Sequence, residues 1–93
     1  MTSILDIAKT VTGARISGWN DRHYVNLPAS GGYNGDRSTK VWIKGNVLTV
    51  EQGKGYHSDE FSATLAKLTD ALIAAGAVRK GYSDSISATY TLD

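Results

Sequence analysis

Apolar residues recur with a helical period in two segments of the chain. From Ser3 to Val11 they fall three and four residues apart, and Ser3 and Gly13 are residue types that begin and end helices. The second segment follows Ser58 and ends at Gly76. Its apolar stripe consists of Phe61, Leu65, Leu68, Leu72 and Ala75. The pattern therefore predicts a short N-terminal helix and one long helix.

Between these helices the apolar period falls to two, which is typical of strands with one buried face. The alternating segments are 14–19, 22–27, 39–44 and 47–51. Asn20-Asp21 lies between the first two segments and Gly45-Asn46 between the last two. Both are residue pairs typical of tight turns, which predicts two hairpins. A last alternating segment, 86–92, predicts a C-terminal strand that offers a free edge.

Two neighbouring hairpins favour an antiparallel sheet, and the long helix needs an apolar surface to cover. We therefore predict an α+β fold in which two hairpins and the C-terminal strand form an antiparallel sheet. The long helix packs on one face, and the short helix precedes the sheet. With 93 residues, the chain is expected to form a single domain, 1–93. Segment 29–37, rich in Gly, Ser and Asn, is predicted to be a mobile loop, and 79–85 is predicted to be a second loop.

Strand alternation also assigns side chains to the two faces of the sheet. The predicted core set, which faces the long helix, is Val25, Leu27, Val41, Ile43, Leu48 and Val50. The other face then carries aromatic and basic residues. The candidate partner-binding residues on that face are Arg22, Tyr24, Lys40, Trp42 and Lys44. Tyr33 and Arg37, from the glycine-rich loop, complete the candidate set.

Three interpretations of this basic-aromatic face remain open. Trp, Tyr and Arg dominate the binding energy of protein interfaces. Aromatic rings also stack on unpaired bases while Lys and Arg contact phosphates. In the third interpretation the role is structural, and Tyr24 and Trp42 pack on each other as a cross-strand pair or lie under the first helix.

Composition narrows the choice of function. Ten Lys and Arg against nine Asp and Glu give a net charge of +1, which argues against a nucleic-acid-coating protein and against an acidic DNA mimic. The middle of the chain is mildly basic and the C-terminal part mildly acidic, an asymmetry that either marks an oriented surface or arises by chance. Cysteine is absent, which fits a cytoplasmic location. No apolar run approaches the ~20 residues that span a membrane, so no membrane association is expected.

No residue pattern points to catalysis. His57-Ser58-Asp59 contains the residue types of a hydrolytic triad, but adjacent residues cannot face one another in triad geometry. His23, His57 and Asp59 lack the spacing of a metal site. The glycine-rich loop lacks the Lys-Ser/Thr of a phosphate-binding loop. We therefore expect no catalytic residues, no metal and no cofactor, and predict that the protein is not an enzyme.

The chain resembles the small accessory proteins of phages and other mobile elements, anti-CRISPR proteins in particular. The resemblance lies in the layout: no cysteine, a Tyr-bearing hairpin at 22–28, the Lys-Val-Trp-Ile-Lys strand at 40–44, and one long helix beginning Ser58-Asp59-Glu60-Phe61. Unlike the many acidic proteins of this kind, the chain has no acidic run.

This resemblance implies a cytoplasmic inhibitor that binds a larger protein or nucleoprotein, such as a Cas effector, and blocks its activity. Contact with guide RNA as well as protein is part of what it implies. The alternative function is a direct RNA or single-stranded DNA-binding module that uses the basic-aromatic face. The protein is expected to be a monomer, or a homodimer that pairs the last strand, 86–92, with a second copy.

Overall fold

The computed structural model describes residues 3–13, 15–19, 21–27, 34–81 and 88–92. Within these residues the elements are α1 (Ile4–Thr12), β1 (Arg15–Trp19), β2 (Arg22–Asn26), α2 (Asn34–Ser38), β3 (Lys40–Lys44), β4 (Val47–Glu51), α3 (Asp59–Ala74), β5 (Val78–Gly81) and β6 (Ala88–Thr91). The predicted α+β class, with one long helix and a short N-terminal helix, is confirmed. None of the described helices is long and apolar enough to cross a membrane.

The six strands form one antiparallel sheet in the order β1-β2-β3-β4-β6-β5. Both predicted hairpins are present, and Gly45 takes a positive φ of 62° in the second turn. The prediction that the last strand is an edge is wrong, because β6 lies between β4 and β5. The described part of this strand, 88–91, therefore offers no free edge for pairing with a second copy.

The caps predicted from the sequence are present at α1 and α3. The Ser3 Oγ accepts a hydrogen bond from the Asp6 N–H, and Gly13 ends α1 in the left-handed region at φ 65°. Ser58 precedes α3, and its Oγ accepts from the Phe61 N–H at 3.1 Å. Capping satisfies N–H groups that have no partner inside the helix.

The core lies between the sheet and the helices α1 and α3, which pack against each other. All six predicted sheet positions of the core are buried, with 5% exposure or less. The predicted stripe of α3 is buried at Phe61, Leu65, Leu68 and Leu72, whereas Ala75 is exposed at the helix end. The core therefore covers only one face of the sheet, and the other face remains accessible to a partner.

Two elements differ from the prediction. The described part of the predicted mobile loop is helical from Asn34, whereas 29–33 lie outside the described residues. The predicted loop 79–85 begins as strand β5, and its remaining residues, 82–85, are likewise outside them. Both elements depend on partners distant in sequence: α2 contacts the segment before α3, and β5 pairs with β6.

Candidate functional site

The side of the sheet turned away from α1 and α3 is here called the open face. Its middle row crosses all six strands in register as Ser17, Tyr24, Trp42, Thr49, Thr89 and Lys80. These side chains are exposed or half-buried, while alternate positions on β2, β3, β4 and β6 supply the core residues Val25, Val41, Ile43, Leu48, Val50, Ala88 and Tyr90. The open face is therefore a continuous surface that the core does not use.

An aromatic pair with a stacked cation lies near the middle of the open face. Tyr24 and Trp42 are directly opposite each other on β2 and β3, and both are half-buried. The Arg22 guanidinium lies over the Trp42 ring, 4.3 Å from its centroid. Tyr24 and Trp42 are thus cross-strand neighbours in the ladder, on the side of the sheet away from α1. An exposed cation–π contact of this kind contributes about 0.5–1 kcal/mol.

Charge is segregated between the two sides of the molecule. The basic residues of the open face are Arg15, Arg22, Lys40, Lys44 and Lys80, and the acidic residues at this face are Asp21 and Glu51. On the helical side four acidic residues stand against three basic ones: Asp6, Asp59, Glu60 and Asp70 against Lys9, Lys67 and Arg79. Apart from Arg79, which lies on the helical side, the basic Lys and Arg side chains of the described sheet therefore share the open face.

Some of these cations have local counter-charges. Lys44 Nζ lies 3.1 Å from Asp21 Oδ2, and both side chains are more than half exposed. Lys40 lies directly opposite Glu51 in the register of β3 and β4. Exposed pairs of this type contribute little to stability because water and salt screen them, and they act mainly on the electrostatic potential of the surface.

The pairing of Asp21 with Lys44 predicts a measurable titration. The hydrogen bond from Lys44 lowers the pKa of the Asp21 carboxyl below its ordinary value of 3.8. Because the pKa of Asp21 is lower in the folded than in the unfolded protein, the pair stabilises the fold at pH values above the pKa of the unfolded state. This stabilisation is lost as the pH falls through the pKa of the folded state. We expect the NMR titration midpoint of Asp21 to lie below 3.8. Lys44→Met should move this pKa upward, and an unchanged midpoint would contradict the pairing.

A pocket opens beside the aromatic pair. The ladder between β2 and β3 contains His23–Ile43 and Tyr24–Trp42 and stops there, so the strands separate towards Asn26 and Lys40. The pocket has a volume of about 480 Å³, within the range of small-ligand sites. Its lining includes open-face and α2 side chains above an apolar floor: Ser17, Tyr24, Asn26, Arg37, Thr39 and Lys40 with Asp36, Val25, Leu27, Val41 and Phe61. A side chain entering from the open face would reach the edge of the core.

The structure brings five of the seven candidate residues together on the open face: Arg22, Tyr24, Lys40, Trp42 and Lys44. Arg37 lies apart from the sheet, on α2, where it lines the pocket. Tyr33 is outside the described residues. The described candidate residues thus lie on the open face, except for Arg37, which forms part of the adjoining wall of the pocket.

Asp36 holds α2 against the beginning of α3, a role that was not predicted from the sequence. Its side chain is 1% exposed, and Oδ1 accepts the Ser58 N–H at 3.0 Å. Asp36 Oδ2 accepts the Ser58 hydroxyl at 2.6 Å. Ser58 therefore caps α3 while donating both of its hydrogens to Asp36. No local pattern indicates this contact, because its partners are 22 residues apart.

Thr39 forms a second link next to Asp36. The Gly53 N–H donates to Thr39 Oγ1 at 2.9 Å, and His57 Nε2 lies 2.6 Å from the same oxygen. His57 also stacks near Phe61, with ring centroids 5.7 Å apart. His57 and Ser58 thus serve to seat α3, and neither contacts the other in a triad arrangement.

No protein-family model, curated protein or solved structure matches the chain. In the part of the chain that the structure describes, no group of three or more His, Cys, Asp or Glu is placed to hold a metal ion. The open face and the pocket beside it are the features on which a function can be based.

Proposed function

We propose that this protein is a non-catalytic binding protein that engages a larger protein or nucleoprotein through its open face and blocks the activity of that partner. The observation that carries the proposal is the Tyr24–Trp42 pair with Arg22 stacked on the indole. Trp, Tyr and Arg are the residues most enriched at the energetic centres of protein interfaces. Here they form one cluster on a surface that the core leaves uncovered.

Two features favour a protein surface over a nucleic acid as the partner of the open face. A stacking platform needs an accessible ring face, but Arg22 covers one face of Trp42 and both rings are half-buried. The cations also have carboxylates near them, as Asp21 is paired with Lys44 and Glu51 lies opposite Lys40. Mixed charges of this kind give specificity and orientation between proteins.

The pocket between β2 and β3 adds a means of anchoring the partner. Energetic centres of interfaces commonly consist of an apolar side chain that fills a well-packed pocket. Val25, Val41 and Phe61 provide an apolar floor, and Lys40 and Asn26 provide a polar rim. A partner loop with an apolar residue beside a carboxylate matches this lining.

Inhibition requires no further chemistry from this chain. A rigid domain that occupies a surface needed by its target blocks that target sterically, as the anti-CRISPR proteins it resembles do with Cas effectors. Net basic charge on the open face would steer it towards an acidic surface. The partner class that fits is a protein or nucleoprotein with an acidic binding surface.

An affinity capture with charge-matched variants tests this proposal. Tagged wild type is incubated with lysate of candidate hosts, with and without nuclease treatment, and the bound proteins are identified by mass spectrometry. We expect a discrete protein that Arg22→Glu fails to retain, since the change removes the stacked cation and reverses its charge. Lys67→Glu makes the same change in charge on the exposed surface of α3 and should leave retention unchanged.

Two results would contradict the proposal. Equal loss with both variants would show that overall charge, rather than the open face, controls retention. Complete loss of the captured protein on nuclease treatment would show that nucleic acid bridges the two. That second result would favour the alternative of direct RNA or single-stranded DNA binding, with a steep dependence on salt.

A further inference from the structure

Strand β5 forms one end of the sheet. It pairs with β6 on one side, and among the described residues no strand lies on its other side. All four of its residues, Val78–Gly81, are exposed. The backbone N–H and C=O groups that point away from β6 are therefore available to an added strand. Strand addition at such an edge is one of the ways in which a folded domain binds an extended peptide.

The two cations of β5 lie on opposite faces of the sheet. Arg79 is opposite the buried Tyr90 in the register, on the side that carries the helices. Lys80 is opposite Thr89, on the open face. Within the described residues neither cation forms an ion pair with a carboxylate. An added strand would therefore meet positive charge on both of its faces, which favours acidic residues at the two paired positions.

This charge pattern disfavours a second copy of the chain as the added strand. Antiparallel pairing of two β5 strands keeps each face of the sheet continuous only if opposite residues belong to the same face. The two registers with the most paired residues place either Arg79 or Lys80 directly opposite its own counterpart. Like charges in directly opposite positions are destabilising, and lysine at an edge is a known means of preventing such pairing.

An apolar groove reaches β5 on the helical side of the sheet. Its volume is about 220 Å³, below the ~300–1,000 Å³ of drug-sized ligand sites, so it suits a single large side chain. The Tyr90 hydroxyl accepts a hydrogen bond from Arg79 Nε at 3.3 Å, which holds the guanidinium beside the groove. The lining includes the core residues Val50, Phe61, Leu65 and Tyr90 together with the exposed residues Ala66 and Arg79.

Gly81 gives the groove an entrance from the edge of the sheet. It belongs to the same face as Arg79 and lies opposite Ala88, which in turn lies opposite Val50 of the groove lining. This row therefore begins with a residue that has no side chain and continues with a small one. A long apolar side chain opposite Gly81 in an added strand meets no side chain of β5 and can pass over it towards the groove.

We propose that β5 binds an extended segment of a partner protein by antiparallel strand addition, and that this segment has the order apolar-acidic-acidic-apolar. The first apolar residue lies opposite Gly81 and enters the groove, and the two acidic residues lie opposite Lys80 and Arg79. The last apolar residue lies opposite Val78, whose side chain is 58% exposed. This edge is separate from the aromatic pair of the open face, and the inference stands whether or not that pair binds a partner.

Fluorescence anisotropy with a labelled peptide of about eight residues tests the proposal, since this length covers an average strand and its flanks. The peptide has the core Phe-Glu-Asp-Val between Ser and Thr residues. We expect saturable binding by the wild type, and a loss of at least about tenfold when Lys replaces both acidic residues, because like charges then face Arg79 and Lys80. N-methylation of alternate peptide residues should abolish binding in one of the two phases, because only every second amide faces β5.

Variants of the protein locate the site. Ala66→Phe fills the groove and should weaken peptide binding at least about tenfold. Ala63→Phe makes the same change at an exposed position of α3 outside the groove lining and should stay within about twofold. Lys80→Glu should also weaken binding, with Lys67→Glu as its charge-matched control. Trp42→Ala should have no effect on this peptide, because β4 and β6 separate β3 from β5.

Amide hydrogen exchange measured by NMR gives the direct readout, and the peptide should slow exchange at Val78–Gly81. Absence of binding by the wild type, equal affinity for the Lys-substituted peptide, or equal effects of Ala66→Phe and Ala63→Phe would overturn the inference. Slow exchange at these amides in a wild-type dimer without peptide would also overturn it, since a second copy would then occupy the edge. The peptide controls use the wild-type protein, so they remain informative even if a variant fails to fold.

Discussion

Replacing Asp36 with alanine should lower the free energy of unfolding by about 3 kcal/mol, because two partly buried donors of Ser58 lose their acceptors at about 1–3 kcal/mol each. The carboxylate is 1% exposed and is bonded through both oxygens. It also lies at the N-terminus of α3, where negative charge is favourable. The loss is a large fraction of the stability of a small domain, which is about 5–15 kcal/mol in total.

Urea denaturation followed by circular dichroism measures this effect. Asp36→Asn keeps one acceptor oxygen and should fall between wild type and Asp36→Ala. Asp59→Ala is the matched control, since Asp59 is an exposed carboxylate in the first turn of the same helix. Its removal should lower the free energy of unfolding by about 0.3–1 kcal/mol, the range of a helix-dipole interaction. Equal effects of Asp36→Ala and Asp59→Ala would contradict the role assigned to Asp36.

The two faces of the sheet were predictable from the sequence because alternation in a strand has only two registers. A shift by one residue in β3 would expose Val41 and Ile43 and bury Lys40 and Lys44. The short hairpin turn at Gly45-Asn46 fixes the pairing with β4. Caps were equally predictable, since Ser58 and Gly13 act within a few residues of their own positions.

Elements that depend on distant partners were not predictable in this way. A helix of five residues such as α2 is not stable alone, and its residues were typical of a loop. Its hydrogen bonds to Tyr56, Lys54 and Ser58 appear only once the chain has folded back. Strand β5 has four exposed residues and hence no alternation, and it forms by pairing with β6. Because β5 was not predicted, the last strand was wrongly expected to lie at the edge of the sheet.

Truncation of Trp42 to alanine should weaken binding of the captured partner by at least about 2 kcal/mol, or roughly 30-fold, as is typical of an energetic centre. The fold should survive, because Trp42 is half-buried and lies on the side away from the core. The expected loss of stability combines a cation–π contact of about 0.5–1 kcal/mol and a cross-strand pair of about 0.2–1 kcal/mol. Binding is therefore expected to fall by more than stability does.

Isothermal titration calorimetry with the purified partner and thermal unfolding of each variant separate the two effects. Ile73→Ala removes an exposed apolar side chain from the helical side, 48% exposed, and should leave binding unchanged. Arg22→Ala combined with Trp42→Ala should weaken binding by less than the sum of the single changes, because Arg22 acts partly through its contact with the indole. If Trp42→Ala unfolds the protein, Trp42→Phe keeps an apolar ring and reports on binding alone. Full affinity in a folded Trp42 variant that lacks the indole would assign Tyr24 and Trp42 to the stability of the sheet and remove the open face as the partner site.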